Sequence, residues 1–278
     1  MTEAAHMVAR IALLVFLVSS MLAAGLSLTP RAILAPLRNV RLVLAALALN
    51  FLVAPAFAVM LTMVIALERP HAIGLILLGG AAGAPFLPKL VESAHCDLGF
   101  AVALMTLLTV GTTLFMPFAL PLIIPDLQAS PWSIARPLVM FILTPLAVGM
   151  LLRRNPAISA ASQPIFTKLG SLSAFVLLAL LVVLYFRDLL GVLGSGALAA
   201  AIVFITGLGA AGYLLGGSRE ATRGVLGLGT AARNVGAALV PASQSFSDPK
   251  IMIMLVATTL VMLIVLVPAA RWLARKAQ

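Results

Sequence analysis

Apolar residues in this chain neither alternate nor recur on one helical face. They run on. Nearly every position from about Val8 to Leu28 is apolar or small, and similar runs follow at Leu42–Leu67, Leu98–Ile124, Trp132–Leu152, Pro164–Phe186, Leu190–Leu215 and Lys250–Leu273. Two more are interrupted. One starts near His71 and is broken by "APFLP" at Ala84–Pro88; the other covers Ala221 to about Ser245 and is studded with glycine. Runs of about 20 residues that are apolar all round are the length of a bilayer crossing. Together they predict an all-α polytopic membrane protein with about nine transmembrane helices, in one integral domain over residues 1–278. Helices are expected because lipid offers the backbone no hydrogen-bonding partners. A membrane barrel would instead show alternating segments of about ten residues.

Composition agrees. The chain is 63% hydrophobic and 9% charged, against roughly 25% charged residues in soluble domains. The bilayer is thus its expected partner. The net charge of +10 sits mostly at run ends and not on one basic face, so no nucleic-acid partner is expected. Arg10, the first apolar run and the small residues Ala23, Ala24 and Gly25 imitate a signal peptide. The run continues to Leu28 and basic residues follow, as for a retained first span. Arg31, Arg38, Arg41, Arg153, Arg154, Arg219, Arg223, Arg271, Arg275 and Lys276 fall on one side of an alternating path. The other side holds Arg10, Arg69, Arg136, Arg187 and Lys250. The positive-inside rule then puts the C-terminus in the cytoplasm and the N-terminus outside.

The chemistry of other classes is missing from the sequence. His6, His71 and His95 are scattered without metal-ligand spacing, so no metal site is expected. No G-x-x-x-x-G-K loop is present, and acidic residues lie at span ends, so neither ATP hydrolysis nor a carboxylate protease is expected. No enzymatic activity and no cofactor are expected.

The two interrupted runs match each other. "ESAHCDLGFAVALMTLL" from Glu92 and "SQSFSDPKIMIMLVATTL" from Ser243 each open a long apolar helix at an aspartate, Asp97 or Asp248, after a broken segment. The offset is about 151 residues, and five spans lie between, so the halves are inverted. This gives a first repeat at about 8–124 and a second at about 132–273. Paired broken helices leave free N–H and C=O ends at mid-membrane, which suit a secondary transporter. Close packing of helices through glycine is the plainer alternative, but glycine alone does not explain two prolines three apart.

With "MLAAGLSLT", "LNFLVAPAF", "GGAAGAPFLPKLVESAHCDLGFAV" and "LGTAARNVGAALV" in this order, nearly the whole chain resembles the bile acid:sodium symporter family. The resemblance implies two inverted repeats, a panel domain and a core domain, and two discontinuous helices crossing in the core. The chain looks like a nine-span bacterial-type member of the inner (plasma) membrane. By that resemblance spans one, two, five and six form the panel, spans three, four, seven, eight and nine the core, and the breaks fall around Pro85, Pro88, Gly229 and Gly236. Implied substrates are small organic anions. The family's sodium ligands are not matched. Gly229 and Arg233 stand where a Glu and a Gln are expected, Pro85, Leu87 and Pro88 where Thr, Ser and Asn are expected, and Ala101 and Met105 where Ser and Thr are expected. The resemblance implies the fold and the transport role without the sodium mechanism.

Arg233 draws attention because a mid-membrane arginine costs at least about 2.5 kcal/mol without partners. It is expected either to take the place of a sodium charge or to receive a substrate carboxylate through its planar fork, or else to pair with broken helix ends. Asn234, Lys89 and Thr106 complete the expected substrate-binding set, and Asn50 is expected to support a kink before Pro55. The alternative function is a non-transporting membrane sensor or scaffold subunit.

Overall fold

A computed structural model describes residues 3–28, 39–124, 127, 129–192 and 194–276. Arg31 and Arg38, used above for orientation, lie outside them. Among the described residues every regular element is helical. In order these are α1 (Glu3–Ser27), α2 (Val40–Val64), α3 (Arg69–Gly80), α4 (Leu87–Ser93), α5 (Leu98–Ile123) and α6 (Pro131–Leu152). They continue with α7 (Pro156–Leu184), α8 (Phe186–Val192), α9 (Ala197–Leu215), α10 (Glu220–Ala231), α11 (Val235–Ser245) and α12 (Pro249–Lys276). Seven of these are long and apolar enough to cross a membrane: α1, α2, α5, α6, α7, α9 and α12. The chain is an integral membrane protein. The two interrupted runs are the helix pairs α3–α4 and α10–α11.

Helix starts follow local chemistry. Asp97 accepts from Phe100 N at 2.9 Å at the head of α5, and Asn155 accepts from Ala157 N and Ile158 N at the head of α7. Such side-chain oxygens satisfy the orphan donors of a first turn. Asp248 accepts from Lys250 N at 2.8 Å before α12, so both paired aspartates open their helices by local bonds. Because of the Asn155 cap, the sixth span starts at Pro156, earlier than the sequence pattern suggests. Its polar residues around Ser159 had masked the turn. The seventh span starts later than expected. Gly196 takes φ +74°, a conformation glycine alone adopts without strain, and it separates α8 from α9.

Helix packing sorts the molecule into two groups. In one, α1 lies along α6 and α7. A Cβ on Gly149 would stand 2.5 Å from Leu22 O, and Gly25 Cα lies 2.9 Å from that point. Two backbones therefore touch without intervening side chains. Arg153 Nη1 and Ser159 Oγ both donate to Leu26 O, at 2.7 and 3.2 Å. In the other, α9 lies on α10, and a Cβ on Gly212 would meet Leu226 O at 2.5 Å and Gly227 Cα at 3.0 Å; α3 packs between α2 and α12.

The place of α2 corrects the expectation taken from the resemblance. It packs on α3 and α9, with α5 beside it, and so belongs with the spans assigned to the core, not with spans one, five and six. Its buried Asn50 provides the physical reason, as shown next.

Candidate functional site

Both interrupted helices stop in the buried interior of the molecule. α3 ends at Ala81 (φ −99°, ψ 92°) and α10 ends at Ala232 (φ −74°, ψ 99°), each leaving the helical region at the cap. In the first break Gly83 adopts φ +79°, and a Cβ there would lie 2.5 Å from Thr109 N. Pro85 lies in this break, and Pro88 sits in the first turn of α4, where its missing N–H costs nothing. The second break is Ala232–Asn234. Gly229 and Gly236 flank it inside α10 and α11 and correct the expectation that they form it. They are packing positions. A Cβ on Gly229 would lie 2.8 Å from Leu104 Cδ2 and 3.2 Å from Leu87 Cδ2, and one on Gly236 would strike Leu17.

The breaks bond to each other and to the helices beside them. Asn234 N donates to Ala81 O at 2.9 Å. Asn234 Nδ2 donates to Gly83 O at 3.1 Å, across 151 residues, while its Oδ1 caps α11 by accepting from Ala237 N at 3.0 Å. Thr112 Oγ1 accepts from Ala82 N at 2.8 Å and donates to Ala82 O at 3.0 Å. Thr109 Oγ1 reaches Gly83 O at 3.1 Å. Opened backbone in lipid is tolerated only when it is satisfied in this way.

Arg233 is fully buried, and its guanidinium closes the arrangement. Nε donates to Leu78 O at 2.9 Å, Nη2 to Gly79 O at 2.7 Å, and Nη1 to both Thr230 O at 3.2 Å and Asn50 Oδ1 at 2.7 Å. The first three acceptors are carbonyls at the C-terminal ends of α3 and α10, where the helix dipole favours a cation. The fourth is on α2. Asn50 is set in a π-helical turn, Leu49–Val53, ahead of Pro55, and donates back to Ala46 O at 2.9 Å. It therefore serves the local bend and the arginine together.

A cavity of about 600 Å³ opens beside the crossing. Its walls come from α1 and α7 on one side and from α4, α5, α11 and α12 on the other. They are largely apolar, with Phe16, Phe86 and Phe175 among the larger contributors. Lys89 and Glu92 are the charged residues of the lining. Lys89 Nζ donates to Ser171 Oγ at 3.0 Å, from α4 to α7 across the mouth. Thr167 and Gln163, about one and two turns before Ser171, line the same wall.

Of the four residues expected to bind substrate, Lys89 lines this cavity and Arg233, Asn234 and Thr106 do not. Thr106 Oγ1 donates to Val102 O of its own helix at 2.8 Å. Sequence reasoning passed over Thr109, Thr112 and Ser171. A threonine hydroxyl in an apolar helix usually bonds its own backbone, so sequence alone does not mark the two threonines. For Asn50 the partner is 183 residues away, and no local signal points to it.

No curated protein matches the chain. The model of the sodium bile acid symporter family matches residues 14–194, which cover the first broken helix but not the second. The match spans more than half of the sequence, and with the apolar helices and the paired interruptions it leads to one conclusion: the chain belongs to the sodium bile acid symporter family.

Proposed function

We propose that this chain is a secondary transporter that carries an organic anion across the bilayer by alternating access, through nine spans arranged as two inverted repeats. The observation that carries the reading is the cavity between the α1–α7 wall and the broken helices, with Lys89 as its cation. Its volume lies in the range of ligand pockets, about 300–1,000 Å³. The anion's carboxylate is received by Lys89 with Ser171, and its apolar body lies against the phenylalanines. Arg233 is assigned a different task, because its N–H groups are engaged with the helix ends and it lies outside the lining. It holds the crossing together in the place of a bound cation.

The side chains present do not fit a sodium ion. Sodium needs a shell of oxygen donors, as hard cations do. Gly229 supplies no oxygen and is closed in by Leu87 and Leu104. Thr106 directs its hydroxyl to Val102 O, and Arg233 adds fixed positive charge. Substrate binding is accordingly proposed to be independent of sodium.

The test is uptake by proteoliposomes of carboxylates with apolar bodies of graded size, in sodium and in choline media, with wild type and Lys89→Gln. The expected result is equal uptake in both media and at least a tenfold weaker apparent affinity for Lys89→Gln, with the protein still folded. Absence of flux for every anion would favour the sensor or scaffold reading. Uptake that needs sodium would overturn the proposed coupling.

A further inference from the structure

A second hollow shares no lining residue with the substrate cavity. It is a groove of about 280 Å³ between α9, α10 and α12. Ala210 and Tyr213 form part of one wall, Ala269 and Trp272 part of the other, and Gly224 and Gly227 lie between them. A Cβ on Gly227 would stand 3.1 Å from Tyr213 Cβ and from Gly209 O, so the missing side chain lets α10 close onto α9 and form the floor of the groove. From Thr206 to Tyr213 the α9 wall rises about 10 Å at 1.5 Å per residue. That is enough depth for the upper part of a lipid tail.

The mouth of this groove is aromatic and cationic. The Tyr213 and Trp272 rings are 6.2 Å apart. Arg223 places its guanidinium 4.3 Å from the Tyr213 centroid, and Lys276 places its ammonium 4.1 Å from that of Trp272. Arg219, Arg271 and Arg275 are exposed at the same end. Glu220 is the carboxylate among them, and it accepts from Tyr213 Oη at 2.5 Å and from Arg223 Nη1 at 3.3 Å. Arg223 and Lys276 thus stand with one carboxylate at the rim of an apolar slot, and three further exposed arginines lie within a turn or two of them along α10 and α12. Tyrosine and tryptophan mark the level of lipid headgroups, and basic clusters there attract anionic lipid.

We propose that the groove binds one anionic glycerophospholipid. Its phosphate lies between Arg223 and Lys276, and one tail runs over the glycine floor between α9 and α12. Charge selects the occupant, because a zwitterionic lipid would add its own cation to five already present.

The test is native mass spectrometry of the detergent-purified full chain, titrated with phosphatidylglycerol, phosphatidylcholine or inorganic phosphate. Phosphatidylglycerol is expected to occupy one site at least about tenfold more tightly than phosphatidylcholine. Lys276→Gln should weaken phosphatidylglycerol about fivefold and leave phosphatidylcholine unchanged. Ala210→Phe, which fills the groove from an exposed wall position, should weaken phosphatidylglycerol without altering charge. Thermal midpoints equal to wild type without added lipid will show that both variants are folded. The proposal is overturned if the two lipids bind alike, if Ala210→Phe binds as wild type does, or if inorganic phosphate displaces the lipid at equal concentration.

Discussion

Replacing Arg233 with glutamine removes a charge from a site where four oxygens converge. Leu78 O keeps a second partner, Ala81 N at 3.1 Å. Gly79 O, Thr230 O and Asn50 Oδ1 lose the donors described above. An orphaned buried acceptor costs about 1–3 kcal/mol, and one amide can serve at most two of the three. A destabilisation of a few kcal/mol is expected, which lowers the thermal midpoint by about 2–4 °C per kcal/mol for a chain of this size class. The vacated place then presents oxygen to a hard cation. In the wild type a sodium ion about 4 Å from the guanidinium would be repelled by about 4 kcal/mol at an effective dielectric near 20; in the variant that repulsion is gone. Scanning fluorimetry of purified protein in sodium and choline chloride at equal ionic strength measures both effects. Wild type is expected to melt at one temperature in both salts, and Arg233→Gln to melt lower and to recover several degrees in sodium only. A variant as stable as wild type, or a wild type stabilised by sodium, refutes the view that the guanidinium stands where a cation would.

Other outcomes follow from separate parts of the molecule. Gly149→Leu drives a side chain into Leu22 O and the Gly25 backbone, so it should abolish folded protein on size exclusion, while the same change at Gly191, which has open space around its Cβ position, should not. Glu68 accepts from Lys250 at 2.6 Å, and that bond holds its carboxyl below the ordinary value of 4.5. Its contribution is therefore present above about pH 4.5 and is lost as the pH falls through the lowered value. Lys250→Gln should melt below wild type at pH 6, with the gap closing towards pH 3. The orientation expected from the basic residues is tested in a Cys96→Ser background: a membrane-impermeant thiol reagent should label a reporter cysteine at Asp188 from outside and not one at Arg154, and the reverse pattern overturns it. Burial raises the pKa of the native thiol above its ordinary value, so background labelling in the wild type should be slow.

Run length and the lack of any polar face made the helical class legible, because lipid leaves few options for a backbone that must satisfy itself. The paired breaks were legible too. Proline and positive-φ glycine punctuate a chain through local sterics, and those are written in the sequence. What failed to show were preferences of the tertiary structure. Gly229 and Gly236 read as breaks because glycine in a helix is a weak signal with two causes, and here the cause is a neighbouring leucine. The membership of α2 depended on Asn50 meeting Arg233 across the fold. Arg233 itself was conspicuous, but the sequence left its partner open between a substrate and the chain's own carbonyls. Lys89 was expected in the binding set, but sequence alone does not distinguish a lysine at a cavity mouth from one reaching for the membrane surface.

The glycine contacts have a mechanical consequence. Where α1 meets α6, and where α9 meets α10, backbone rests on backbone. Packed surfaces of this kind have no layer of side chains that could change rotamer and let one helix slide past the other. Each pair is thus a weld, stiff against shear. Between the two welded groups lies a hollow lined by side chains and crossed at its mouth by the Lys89–Ser171 bond. If the protein rocks, the seam runs there. Parting its lips then requires the Lys89–Ser171 bond to break and Leu17 of α1 to leave Gly236 of α11, while both welds stay intact.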